Sequence, residues 1–149
     1  MNPGEFAEYG IRDFTPQEVE DTGARLDDIR VSLMMGLQKY RDYIRRRVGL
    51  LKNGFTTGGH KAVWHPRGLA ADSFLYPEDG PINVHQIFKG AVSAGFRGIG
   101  IYYNGTLYSS HFDLRPNLAY WGAWKNPKKG IHEWQWVSLL NDPAKAGNF

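Results

Sequence analysis

Five histidines and no cysteine stand in this 149-residue chain, so any metal ion must be held by imidazole and carboxylate rather than thiolate. Two stretches carry the residue types for it. The first is HPRGLAAD, residues 65–72, where His65 and Asp72 stand seven apart with a glycine and two alanines between them. Small residues let the backbone pack tightly while the imidazole and the carboxylate converge. The second is HFD, residues 111–113, which puts His111 and Asp113 at the end of a strand-like run. His85 lies one step from the centre of a predicted helix face and reads as a structural or exposed histidine rather than a ligand.

The elements around these residues are readable from spacing and turn chemistry. Pro3 and Gly4 suggest an extended arm over residues 1–14. Thr15, Pro16 and Glu18 form the pattern of a capping box that starts a helix. Leu26, Ile29, Leu33, Leu37, Tyr40 and Ile44 step by three or four and predict one amphipathic stripe ending near Arg47, with Gly23 either breaking or kinking the segment. The run Arg45-Arg46-Arg47 is a basic patch or a complement to the helix macrodipole. KNGFTTGGH, residues 52–60, reads as a loop into the site, LAADSFL as a short buried strand carrying Asp72, and YPEDGP as the turn that closes it. Asn83 caps a second helix reaching about Ala94, with Val84, Ile87, Phe88 and Ala91 on one face and Gly95 after it.

The best-defined local element is GIGIYY, Asn104-Gly105, then TLYSSHFDL. An Asn-Gly pair between two strand-like runs predicts a two-residue type I′ hairpin. Pairing Tyr103 with Thr106 then sets Gly100 opposite Ser109 and Gly98 opposite His111. Alternation puts Gly98, Gly100, Ser109, His111 and Asp113 on one face, and Ile99, Ile101, Tyr108, Ser110 and Phe112 on a core face. Beyond Asn117 the chain is rich in tryptophan, with a turn at NPKKG and a last strand or helix in HEWQWVSLL before a loose end.

Length and composition predict one α+β domain over residues 1–149: a small antiparallel sheet with helices packed on one side, preceded by the arm at 1–14 and followed by a tryptophan-containing extension at 125–149. With 42% apolar and 22% charged residues the chain is ordinary for a globular protein, whereas 14% aromatic is high and places some rings at a surface or groove. A net charge of +3 without a clustered patch gives no nucleic-acid partner, though it suits an anionic polymer such as a bacterial cell wall. No signal-peptide pattern opens the chain, and the absence of an eighteen-residue apolar run predicts no membrane insertion.

HPRGLAAD resembles the S-x-H-x-x-G-x-A-x-D pattern of the zinc-dependent D-Ala-D-Ala carboxypeptidases and the related phage L-alanyl-D-glutamate endopeptidases, which share the hedgehog/DD-peptidase fold. HFD followed by Trp121 is similar to the family's H-x-D context around its third ligand, and FTPQEV and GIGIYY also look like segments of that group. The resemblance covers roughly residues 14–124. It implies a Zn2+ ion on His65, Asp72 and His111 with one position open, as a hydrolytic site requires. It further implies amide hydrolysis in peptidoglycan peptide stems, with Ser109, Tyr102 and Trp64 as substrate contacts. The implied setting is a phage lysin, made in a host cytoplasm and released to the wall or carried in a virion.

Three positions depart from the family pattern. Where a general base stands three or two residues before the last ligand, this chain has Tyr108 and Ser109; where a serine precedes the first histidine it has Val63; and KNGFTTGGH contains no arginine. Asp113 is the remaining catalytic candidate, either as base through the zinc water or as the partner that orients His111, with Glu78 and Asp79 as outside candidates. Lys61 or Arg67 are stand-ins for the arginine. The alternative is a catalytically impaired member acting as a wall-binding module or a structural virion component among other virion proteins.

Overall fold

The protein is described by a computed structural model over residues 1–56, 63–125 and 134–137. Lys61, the end of the 52–60 loop, the NPKKG turn and the last twelve residues lie outside the described residues.

The described residues form four α-helices, α1 (Gly4–Glu8), α2 (Pro16–Asp21), α3 (Val31–Ile44) and α4 (Val84–Ser93), of which α2 and α4 start on capping boxes. The capping box before α2 is complete, with Thr15 accepting from the Glu18 backbone and Glu18 accepting from that of Thr15. Asn83 and Gln86 make the same reciprocal pair at the start of α4. The expected arm is instead helical over α1. Pro3 sits at its cap, where a missing N–H costs nothing, Asn2 and Glu5 bond reciprocally, and Phe6 is buried.

The apolar stripe predicted as one helix is divided. Leu26 and Ile29 belong to a 3-10 turn and an extended residue, because the carbonyls of both accept from the chain's amino terminus and Arg30 N–H donates to Gly68 O. α3 then ends at Ile44 rather than near Arg47, with Arg45 left-handed at φ 55.

Among the described residues six strands form one sheet: β1 (Val48–Leu50), β2 (Ala70–Leu75), β3 (Gly98–Tyr103), β4 (Tyr108–Asp113), β5 (Ala119–Lys125) and β6 (Trp134–Val137), in the order β1-β2-β4-β3-β5-β6. The sheet is mixed rather than antiparallel, since β5 runs parallel to β3. After β4 the chain passes over the start of β3 and returns on its far side, so β5 is antiparallel to β4 without lying beside it. Trp134–Val137, expected within a C-terminal extension, is an edge strand of the sheet.

The β3–β4 hairpin also differs from its predicted register. Tyr103 pairs with Tyr108, Gly100 with His111 and Gly98 with Asp113, a shift of two residues. A type I′ turn needs positive φ at both central residues, but only Gly105 has it. Asn104 instead accepts through its side chain from the N–H groups of Thr106 and Leu107, which opens a four-residue loop. An even shift preserves the faces, so Ile99, Ile101 and Phe112 lie in the core as expected.

α3 and α4 cover that core face. Tyr40 packs edge-on to Phe112 at 4.7 Å, and Phe96 stacks on the same ring at 5.0 Å. Leu33, Met34, Leu37, Tyr40 and Ile87 are wholly excluded from solvent; burying each such side chain contributes about 1.5–3 kcal/mol. None of the helices among the described residues is long and apolar enough to cross a membrane.

Candidate metal centre

The opposite sheet face carries the chemistry. Asp72 of β2, His111 of β4, Gly100 of β3 and Trp121 of β5 stand in register as one rung across four strands. The Asp72 backbone is gripped by the loop after β1: its N–H donates to Gly54 O at 2.7 Å and its carbonyl accepts from Leu51 N at 3.2 Å. His65 arrives on a tight turn in which Gly68 N–H donates to His65 O and Arg67 N–H to Trp64 O. Gly68 has φ 69, and any side chain there would overlap the Asp28 carbonyl, so the glycine fastens the His65 turn against the segment before α3.

His65 Nε2 lies 3.5 Å from Asp72 Oδ1, and His111 Nδ1 lies 3.1 Å from the same oxygen. One donor atom from each of the three residues falls within 4.8 Å of the others. Around a tetrahedral ion with metal–ligand bonds near 2.0–2.1 Å, neighbouring ligand atoms are about 3.4 Å apart. The residues therefore fit a divalent ion, with two imidazoles and one carboxylate leaving a fourth position open. The imidazoles of His65 and His111 meet at 5.1 Å in a T-shaped contact, and Trp121 lies 5.5 Å from His111 on its other flank.

The second nitrogen of His111 explains how the ring is held. Nε2 lies 2.7 Å from Asp113 Oδ2 and Nδ1 3.1 Å from Asp72 Oδ1, so a carboxylate faces each ring nitrogen; with a metal ion on Nδ1, the Asp113 contact would keep the proton on Nε2. Asp113 has no solvent exposure and is saturated: Arg115 donates to it through Nε at 2.8 Å, Nη2 at 2.6 Å and its backbone N–H at 3.1 Å. Burial alone would push the Asp113 carboxyl up, but hydrogen bonds from Arg115 and His111 outweigh it and hold the group well below the ordinary carboxylate range. Burial likewise opposes the charged form of His111, and its bonds to Asp113 and Asp72 reverse the sign, so its pKa is raised. Gly98, opposite Asp113, leaves the space the carboxylate occupies, since a Cβ there would overlap it.

Trp64 and Tyr102 lie beside the cluster. The Tyr102 hydroxyl accepts from Trp121 Nε1 at 2.7 Å above the bare backbone of Gly100. Ser109 shares the face of His111, across from Phe74 and Tyr102. Tyr108 points into the core, as alternation predicts. Glu78 and Asp79 are not brought to the cluster: they pair with Arg47 beyond the end of α3. His85 is exposed on α4.

Arg67 rests on Trp64, its guanidinium carbon 5.1 Å from the ring centroid. Sequence reasoning passed over Arg115, whose guanidinium carbon is 5.8 Å from the Trp64 ring and 5.4 Å from that of Trp121. Its signal was the D-x-R spacing at a strand end, where the residue two beyond a carboxylate can turn back on it.

No known family model, no curated protein and no solved structure matches this chain.

Proposed function

We propose that this chain is a zinc-dependent peptidase of the hedgehog/DD-peptidase type that hydrolyses amide bonds in peptidoglycan stem peptides, in the setting of a phage lysin. The observation that carries the reading is the convergence of His65 Nε2, Asp72 Oδ1 and His111 Nδ1 at ligand spacing on the sheet face opposite Phe112. The resemblance of HPRGLAAD and HFD to the family's ligand motifs supports zinc as the ion. Held by His65, Asp72 and His111, zinc would act as a Lewis acid toward the scissile carbonyl and make a water nucleophilic near neutral pH.

The chain's own residues do the positioning. Asp113 keeps the Nε2 proton on His111 and so presents Nδ1 as the ligand atom. Arg115 fixes Asp113 and stays within reach of both Trp64 and Trp121. Tyr102, Trp121 and Trp64 wall the space beside the cluster, where an extended stem peptide would lie. Asp113, saturated by Arg115 and His111, serves as the orienting residue rather than the base.

That saturation also favours a second reading, a zinc-holding family member that binds the wall or builds a virion without cutting. Incubating the zinc-loaded protein with purified peptidoglycan and assaying new amino and carboxyl termini separates the two. New termini that disappear with His65→Ala support the peptidase. Zinc bound without new termini leaves the binding member, and a protein that takes up no zinc refutes both.

A further inference from the structure

On the helical side of the sheet, away from the metal-binding face, a cavity of about 530 Å3 opens at the end of α3. Four arginines line it, Arg41, Arg45, Arg46 and Arg47, together with Asp13, Asp42 and Asp79. Each carboxylate is already committed. Asp42 pairs with Arg12, Asp13 with Arg41 and with the Gln38 amide, and Asp79 with Arg47 through a two-pronged contact. Arg46 is spent on backbone, donating to Gly80 O and Tyr76 O at 2.7 Å each, and its charge is felt by Asp79 without a direct ion pair. Arg45 is exposed and makes no ion pair among the described residues. Four arginines against three carboxylates leave the lining with one surplus positive charge, and Arg45 is the guanidinium with no carboxylate partner among the described residues.

The backbone at Arg45 is a second, independent observation. It stands just after the last residue of α3 in the left-handed region at φ 55, a position that glycine occupies without strain and arginine does not. Complementing the helix macrodipole does not account for an arginine there, because Arg41 already lies in the last turn and Arg46 and Arg47 follow directly. This left-handed residue closes α3, its N–H donating to Arg41 O, and it brings to the cavity lining a guanidinium that makes no ion pair among the described residues.

We propose that this cavity is an anion site for a phosphate group, with Arg45 as its principal donor and Arg46 as a fixed background charge. The guanidinium fork matches two phosphate oxygens at once, and phosphate carries enough charge to be held at an open surface cavity. The phosphate could be free or one unit of a phosphodiester polymer. Because the cavity lies across the sheet from His111, occupancy there leaves the metal-binding face open.

Calorimetric titration of the full chain with inorganic phosphate, and separately with a short glycerol-phosphate oligomer, tests the site. Saturable binding of phosphate is expected, weakened at least tenfold in Arg45→Gly, with zinc uptake unchanged. Arg45→Gly suits the left-handed backbone, so it should melt no lower than the parent, which keeps loss of binding distinct from loss of fold. Arg45→Lys should retain part of the affinity, since it keeps the charge and loses the fork. Oligomer binding tighter than phosphate would identify a polymer as the source, and equal binding per phosphate the free ion. No saturable binding of either probe, or equal affinity in Arg45→Gly, overturns the proposal.

Discussion

Gly98→Ala is the substitution that most directly examines how the metal-binding face is held. Gly98 stands opposite Asp113, and a methyl group at this position would overlap the whole Asp113 carboxylate. The carboxylate has nowhere to go without giving up bonds, because Arg115 holds it from two nitrogens and a backbone N–H while His111 holds it from Nε2. Overpacking costs about 1–3 kcal/mol, and disturbing a hydrogen bond to a charged group about 1.5–3 kcal/mol more. The combined loss is about 3–5 kcal/mol, a large part of the ~5–15 kcal/mol that holds a domain folded. At roughly 2–4 °C per kcal/mol for a chain of this size, the metal-free protein should melt about 6–20 °C below the parent. His111 would lose the acceptor that fixes its tautomer, so zinc affinity should fall about 10- to 100-fold. Thermal unfolding by circular dichroism in the presence of a chelator, and a competition titration against a zinc indicator, read the two effects separately. A Gly98→Ala protein that melts within a degree or two of the parent and binds zinc equally well would refute the account of Asp113 as the residue that positions His111.

Other consequences can be checked alongside. The Asp113 carboxyl is held low in the folded state, so its contribution to stability is present above the unfolded value near pH 4 and is lost as pH falls through the folded value. Arg115→Gln should flatten that acid limb and destabilise the neutral protein by roughly 3 kcal/mol, as seen in denaturant unfolding across pH. Burial pushes the Tyr40 and Tyr108 hydroxyls up, so they stay protonated when the unfolded chain would ionise near pH 10; stability should decline above about that pH, and phenolate absorbance from both rings should appear only with unfolding. Thr15→Ala and Asn83→Ala remove one side of two complete capping boxes and should each cost about 1 kcal/mol, additively, by chemical denaturation. Zinc at about a thousandfold over its dissociation constant should stabilise the parent by ~4 kcal/mol and leave His65→Ala unmoved.

The candidate trio of His65, Asp72 and His111 was legible because metal chemistry restricts residue type and because alternation along a strand fixes which face a side chain takes. His111 and Gly100 fell on one face in both the expected and the observed register, because the two differ by an even number of residues. The register was not legible, since Asn104-Gly105 fits two loops and the choice turned on whether Asn104 adopts positive φ or bonds through its side chain. The parallel placement of β5 was hidden for a different reason: nothing local in residues 114–118 says that the chain skips a strand there. Arg115 was missed for another reason: its contact with Asp113 is local, but a D-x-R spacing at a strand end does not by itself say that the arginine turns back on the carboxylate. α1 was obscured by Pro3, although Asn2 and Glu5 carried a capping signal three residues apart. The α3 stripe began late because the chain's own amino terminus captured the carbonyls of Leu26 and Ile29.

The rung that joins Asp72 to His111 bears on how this sheet finds one alignment. Burial of alternate residues penalises a slip by one, since it would turn Phe112 outward, but it is nearly blind to a slip by two. A slip of two between β2 and β4 would keep Ala71 and Phe112 inward and set Asp72 opposite Ser109 or Asp113 instead of His111. A cation that needs both residues on the same rung distinguishes these otherwise similar pairings. Metal binding would then act as a proofreader of strand alignment, rewarding the one register that apolar patterning leaves underdetermined, and refolding with the ion present should give a more uniform product than refolding without it.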